Sequence, residues 1–96
     1  MEINMSDIVL STNGRDADKF FMVIAADGGY LLLADGRGRR IEKPKRKKAK
    51  HTRLIGTSEG TRVAEKLLRG EKITNAELRK ELLNYSSDTE GGMPVG

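Results

Sequence analysis

Between Arg37 and Arg53 the chain carries ten Lys or Arg residues and one acid, Glu42. That is a net charge of +9 within 17 residues. The remaining 79 residues hold 8 basic and 13 acidic side chains, a net of −5. The chain is therefore a slightly acidic protein with one concentrated cationic segment. Such a segment repels itself until a polyanion neutralises it, which points to nucleic acid or an anionic surface.

Ninety-six residues allow one small domain. Leu, Ile, Val and Phe number 22, only slightly above the share at which chains of this kind tend to stay disordered, so the core must be economical. With no cysteine, disulfides, thiolate nucleophiles and Cys-ligated metals are excluded. The longest apolar run, Phe20 to Ala26, falls far short of the ~20 residues that span a bilayer. Residues 1–5 show no basic region leading into an apolar stretch, and the expectation is a soluble cytoplasmic protein.

Short apolar runs punctuated by turns fill residues 7–55. Ile8-Val9-Leu10 is closed by Ser-Thr-Asn-Gly at 11–14, and Phe20 to Ala26 is rich in β-favouring residues. Asp27-Gly28-Gly29 suits a tight hairpin into Tyr30 to Ala34, and Asp35-Gly36 marks a second turn. Arg39 to Glu42 reads as a short fourth strand that Pro44 ends or places on an edge, and His51 to Ile55 as a fifth. The runs at 20–26 and 31–33 are apolar at successive positions, so both faces of these strands should be covered. A curled barrel or a helix packed outside would do that.

Residues 57–85 change to helical spacing. Val63, Leu67 and Leu68 share a face, and Gly70 is placed to stop that helix. Thr74 and Glu77 match a capping box, with Ile73 and Leu78 as its hydrophobic staple. Leu78, Leu82 and Tyr85 continue the second helix, with Leu83 beside them. Residues 86–96 offer little to bury and are expected to be a disordered tail.

The order of residues 7–34 resembles the KOW motif of small SH3-like barrels in ribosomal proteins and transcription factors. The matching segments are Gly14-Arg15-Asp16, Lys19-Phe20-Phe21-Met22-Val23 and Ala34-Asp35-Gly36. The lysine block from Glu42 through Lys50-His51 and the segment Lys72 to Lys80 also match, so the likeness to bacterial KOW-domain RNA-binding proteins spans about residues 7–85. The family's pattern has glycine immediately before the position of Lys19, where this chain has Asp18. Aspartate tolerates the left-handed conformation better than most residues, so the turn can survive. The resemblance implies an α+β fold: an SH3-like antiparallel barrel over 7–56 after an extension at 1–6, then two C-terminal helices over 57–85 packed on it.

The expected partner is RNA, with ribosomal RNA and ribosomal proteins implied by the resemblance. The expected contacts are Arg37, Arg39, Arg40, Lys43, Lys45, Arg46, Lys47, Lys48, Lys50 and Arg53, joined by Arg15 and Lys19 from the KOW turn. DNA is a variant that phosphate contacts alone do not separate from RNA. A solvated charge run is the plainer reading of the same block. His51, the only histidine, is either a phosphate or base contact or an ordinary surface strand residue. Phe20 and Phe21 suit the core, whereas Tyr30 could equally stack on an unpaired base. Gly36-Arg-Gly-Arg lacks the order of a phosphate loop and a following helix. No nucleophile has a partner base and no carboxylates are paired for acid–base work, so no enzyme, cofactor, metal, membrane or small-molecule substrate is expected. The alternative is a KOW-type protein-interaction module, with Val63, Leu67, Leu68, Leu78 and Leu82 as its apolar face.

Overall fold

A computed structural model describes residues 2–89. Five antiparallel strands, β1 (Asp7–Ser11), β2 (Phe20–Asp27), β3 (Tyr30–Ala34), β4 (Lys45–Lys48) and β5 (Thr52–Thr57), precede two helices, α1 (Arg62–Leu68) and α2 (Asn75–Thr89). The strands form one sheet in the order β4-β3-β2-β1-β5. The fold is α+β.

The β2–β3 hairpin turns where expected. Asp27 pairs with Tyr30, and Gly28 (φ 56°) and Gly29 (φ 88°) both take the positive φ of a two-residue type I′ turn. The next connection departs from expectation. Residues 39–42 form no strand, and β4 lies after Pro44, pairing through Lys45–Lys48 with Leu33–Tyr30. Side chains, one near in the chain and one far, take the backbone amides that a ladder would need. The Asp35 carboxylate accepts from the amides of Arg37 (2.8 Å) and Arg39 (2.9 Å), and the side-chain oxygen of Asn75 (Oδ1) accepts from the Ile41 amide at 2.8 Å. Pro44, with no amide to give, sits at the entry to an edge strand.

Strands β4 and β5 are opposite edges of the sheet, yet only the 3-10 turn Ala49–His51 joins them. A flat five-stranded sheet would hold its edges about 19 Å apart. A 3-10 segment from Lys48 to Thr52 spans about 8 Å. The sheet therefore curls, helped by bulges at Ile24 and Ile55 where the register skips a residue. The edges do not pair, so the sheet stays open.

Both faces are covered, as the unbroken apolar runs require. Val9, Phe21, Val23, Leu31 and Leu33 fill the inside of the curl, against Ile3, Ala49 and Leu54. Ile8, Met22 and Ala34 point the other way and pack under Val63, Ile73, Leu78 and Leu82 of the helical segment. Phe20 and Leu67 are half-buried against this second cluster, whereas Leu68 is 68% exposed and not part of the face first read for α1.

The helix ends follow their sequence signals. The Thr74 hydroxyl accepts from the Glu77 amide at 3.1 Å while the Glu77 carboxylate accepts from the Thr74 amide at 2.9 Å, a complete capping box. The flanking staple residues Ile73 and Leu78 share one core cluster. After α1, the amides of Gly70 and Glu71 bond back to the carbonyls of Leu67 (3.1 Å) and Lys66 (2.8 Å), the pairing of a Schellman stop. Helix α2 continues to Thr89, past the end expected at Tyr85, and residues 90–96 of the expected tail lie outside the described residues. Among the described residues, no helix is long and apolar enough to cross a membrane.

Candidate nucleic-acid interface

The cationic segment spreads over the 35–44 loop, β4, the 3-10 turn and the start of β5. Strand alternation divides its central block. Lys45 and Lys47 pair with Leu33 and Leu31 and so share the face of the inner cluster. Lys47 is buried, and its ammonium donates to the Asn13 carbonyl at 2.7 Å. Its stem extends the inner core and its charge ties β4 to the 12–19 loop. Arg46 and Lys48 lie on the opposite face and are exposed.

A second group of cations converges on Asp16, a buried carboxylate in the same loop. Lys45 approaches it at 3.1 Å, Arg39 at 3.4 Å and Lys19 at 3.9 Å. Burial pushes the Asp16 carboxyl up, but the hydrogen bonds and charges of Lys45 and Arg39 together outweigh it and hold the group below the usual aspartate value. This cluster joins three separate pieces of chain: the 12–19 loop, the 35–44 loop and β4.

The 12–19 loop is shaped for that contact. Gly14 (φ 79°) and Asp18 (φ 69°) are both left-handed, a conformation that aspartate tolerates better than most residues. The amide of Asp18 bonds to the Ser11 carbonyl at 2.7 Å, closing the loop on the end of β1. Arg15 and Lys19 are exposed on it, Lys19 only loosely held by Asp16.

The 35–44 loop is anchored on α2. Arg79 donates to the Gly36 carbonyl at 2.7 Å, and a Cβ on Gly36 would meet the Asn75 carbonyl oxygen at 2.5 Å, so only glycine fits there. The Asn75 amide donates to both Glu42 oxygens, at 3.0 and 3.2 Å, and this bond leads the forces that lower the Glu42 carboxyl pKa. Arg40 sits 3.8 Å from Glu42 with both groups largely in water, a contact of little energetic weight.

Arg37, Lys43, Arg46, Lys48, Lys50 and Arg53 are exposed and make no ion pair among the described residues. Arg46 lies over the Tyr30 ring, 3.8 Å from its centroid. His51 is half-buried, and its carbonyl accepts from the Thr12 amide at 2.9 Å. The structure thus brings Lys19, Arg39 and Lys45 together at one carboxylate, commits Lys47 to the interior and spreads the other eight expected cationic contacts, Arg15 and Arg40 among them, over the surface. Reading the sequence for contacts missed Asp16, Asn13 and Asn75 as organisers. For Asp16 a signal existed: it is the acid placed between two expected contacts, Arg15 and Lys19.

Among the described residues, no group of three or more His, Cys, Asp or Glu side chains could hold a metal ion. No protein-family model matches the chain, and no curated protein matches it.

Proposed function

We propose that the chain is an RNA-binding module of the translation machinery, docking on structured RNA, ribosomal RNA first, through the cations left unpaired by the fold. The observation that carries this reading is the set Arg37, Lys43, Arg46, Lys48, Lys50 and Arg53, exposed and without a carboxylate partner among the described residues. Side chains meant only for solubility usually mix signs; the segment from Arg37 to Arg53, with ten cations and one acid, does not. Cations on an edge strand also guard against edge-to-edge pairing, as Lys48 on β4 and Arg53 on β5 can, but that role does not call for Arg37, Lys43 or Lys50, which lie off the edge strands.

We read the curled sheet as an SH3-like barrel of KOW type. The strand order with β5 beside β1, the short 3-10 link and the left-handed turn at Gly14 and Asp18 after β1 support that reading. The association with the ribosome, in the cytoplasm, rests on the resemblance of the residues. A protein-docking module would need the apolar face of the helices free, whereas Val63, Leu78 and Leu82 are buried against the sheet.

The test is the salt dependence of binding to structured ribosomal RNA fragments, with duplex DNA of equal charge alongside. Retained RNA binding at salt that strips the DNA is the expected result. Equal binding and equal loss would reduce the protein to a general polyanion binder.

A further inference from the structure

Strand pairing sets a second feature beside the cations. On the face that the helices cover at one end, β2 and β3 continue past them as Ala25, Asp27, Tyr30 and Leu32. Arg46 and Lys48 stand opposite Leu32 and Tyr30 on β4 and extend the same face to the sheet edge. Arg46 reaches diagonally onto the Tyr30 ring, which is half-buried. Two grooves meet at that ring. A small one of about 180 Å³ runs between Asp27, Leu32 and Arg46, and a larger one of about 660 Å³ passes the Gly28–Gly29 tip toward Lys50 and Arg53.

The chemistry of this junction differs from that of a phosphate site. Asp27 belongs to both grooves and Glu2 to the larger, and carboxylates there oppose a phosphate but accept hydrogen bonds from the amino group of a base. A flat ring capped by a flat guanidinium presents a π-surface, on which any base stacks. Lys48, Lys50 and Arg53 nearby suit the backbone on either side of such a base.

We propose that Tyr30, with Arg46 stacked on it, is a stacking site for an unpaired RNA base flanked by phosphates on Lys48, Lys50 and Arg53. The inference rests on the RNA-binding reading above and adds to it the form of RNA preferred: a bulge, loop or strand end over a continuous duplex. Stacking also explains why an arginine stands at 46 among lysines, since a lysine gives charge without a plane.

The experiment compares a blunt-ended hairpin RNA, closed by a non-nucleotide linker and carrying one unpaired nucleotide, with the same hairpin fully paired. The wild-type protein is expected to bind the bulged form roughly 10-fold more tightly, the scale of one base stacked on an aromatic ring. Tyr30→Leu should remove that preference while keeping affinity for the paired hairpin within about twofold, and Arg46→Lys, with charge retained, should remove the preference as well. Tyr30→Phe should keep it. Equal wild-type affinity for the two hairpins would overturn the stacking site and leave RNA binding standing. So would an undiminished preference in Arg46→Lys and Tyr30→Leu, which would release the groove to another ligand class, a polypeptide included. Binding of neither hairpin would overturn the RNA reading itself, and the stacking site with it.

Discussion

The cations of the basic segment live in two environments. Around Asp16 and Asn13, Arg39, Lys45 and Lys47 are held by partners within the fold and join the 12–19 loop to β4 and the 35–44 loop. On the outer side of β4 and onward to β5, Arg46, Lys48, Lys50 and Arg53 meet water. The residues are of one type, and only a period of two and one buried carboxylate separate them. The contrast teaches that a count of positive charges measures two quantities at once, a structural clasp and a surface field. Only the second is free to meet a polyanion without first giving up an internal bond.

Exchanging charge in one environment at a time breaks the comparison. The largest effect is expected on the outer side: replacing Arg37, Lys43, Lys48, Lys50 and Arg53 with Gln should lower RNA affinity on the order of 100-fold at moderate salt and flatten the salt slope by about 4. Stability should stay within about 0.5 kcal/mol per site, since these side chains hold nothing in place. Filter binding across a salt series, with urea unfolding in parallel, reads both quantities. An unfolded variant, or an unchanged slope, would erase the distinction drawn here.

Asp16→Asn tests the inner side, with an expected loss of about 1–2 kcal/mol of stability and no loss of RNA affinity. The pH dependence has a definite sign. The Asp16 carboxyl titrates lower in the folded protein than in the unfolded chain, so its contribution is full above the unfolded value and disappears as pH falls through the folded one. Thermal unfolding from neutral to acid pH should therefore fall less steeply in Asp16→Asn than in the wild type. The smallest change is Lys47→Met, which keeps the buried stem and removes the bond to Asn13. It should cost about 1 kcal/mol and leave binding nearly unaltered. A large fall in affinity there would move Lys47 to the outer group.

Much of the fold was legible because its signals are local. Thr74 and Glu77 satisfy each other's amides three residues apart, and Gly28–Gly29 are free to take positive φ without tertiary help. Successive apolar residues at 20–24 required two covers, and two are present. The 35–44 loop was not legible in the same way. Arg39 to Glu42 has enough β character for a strand, but Asp35 and the distant Asn75 take its amides. No window that stops short of α2 contains that competitor. Among the candidate contacts, charge and exposure could be judged only in bulk: Lys47 and Lys48 are neighbours of one type, one buried and one exposed.

By itself, then, the sequence determined that one segment concentrates the positive charge and that most of it must face solvent, where the hairpin turns, where the second helix begins and that the central strands are covered twice. Each follows from desolvation cost, backbone sterics or bonds between near neighbours. Tertiary structure alone decided which cations are clasped by Asp16, which stretch became the edge strand, and that Arg46 comes to rest on Tyr30. Those outcomes depend on groups far apart in the chain, whose meeting is set by strand register and by competition for the same backbone amides.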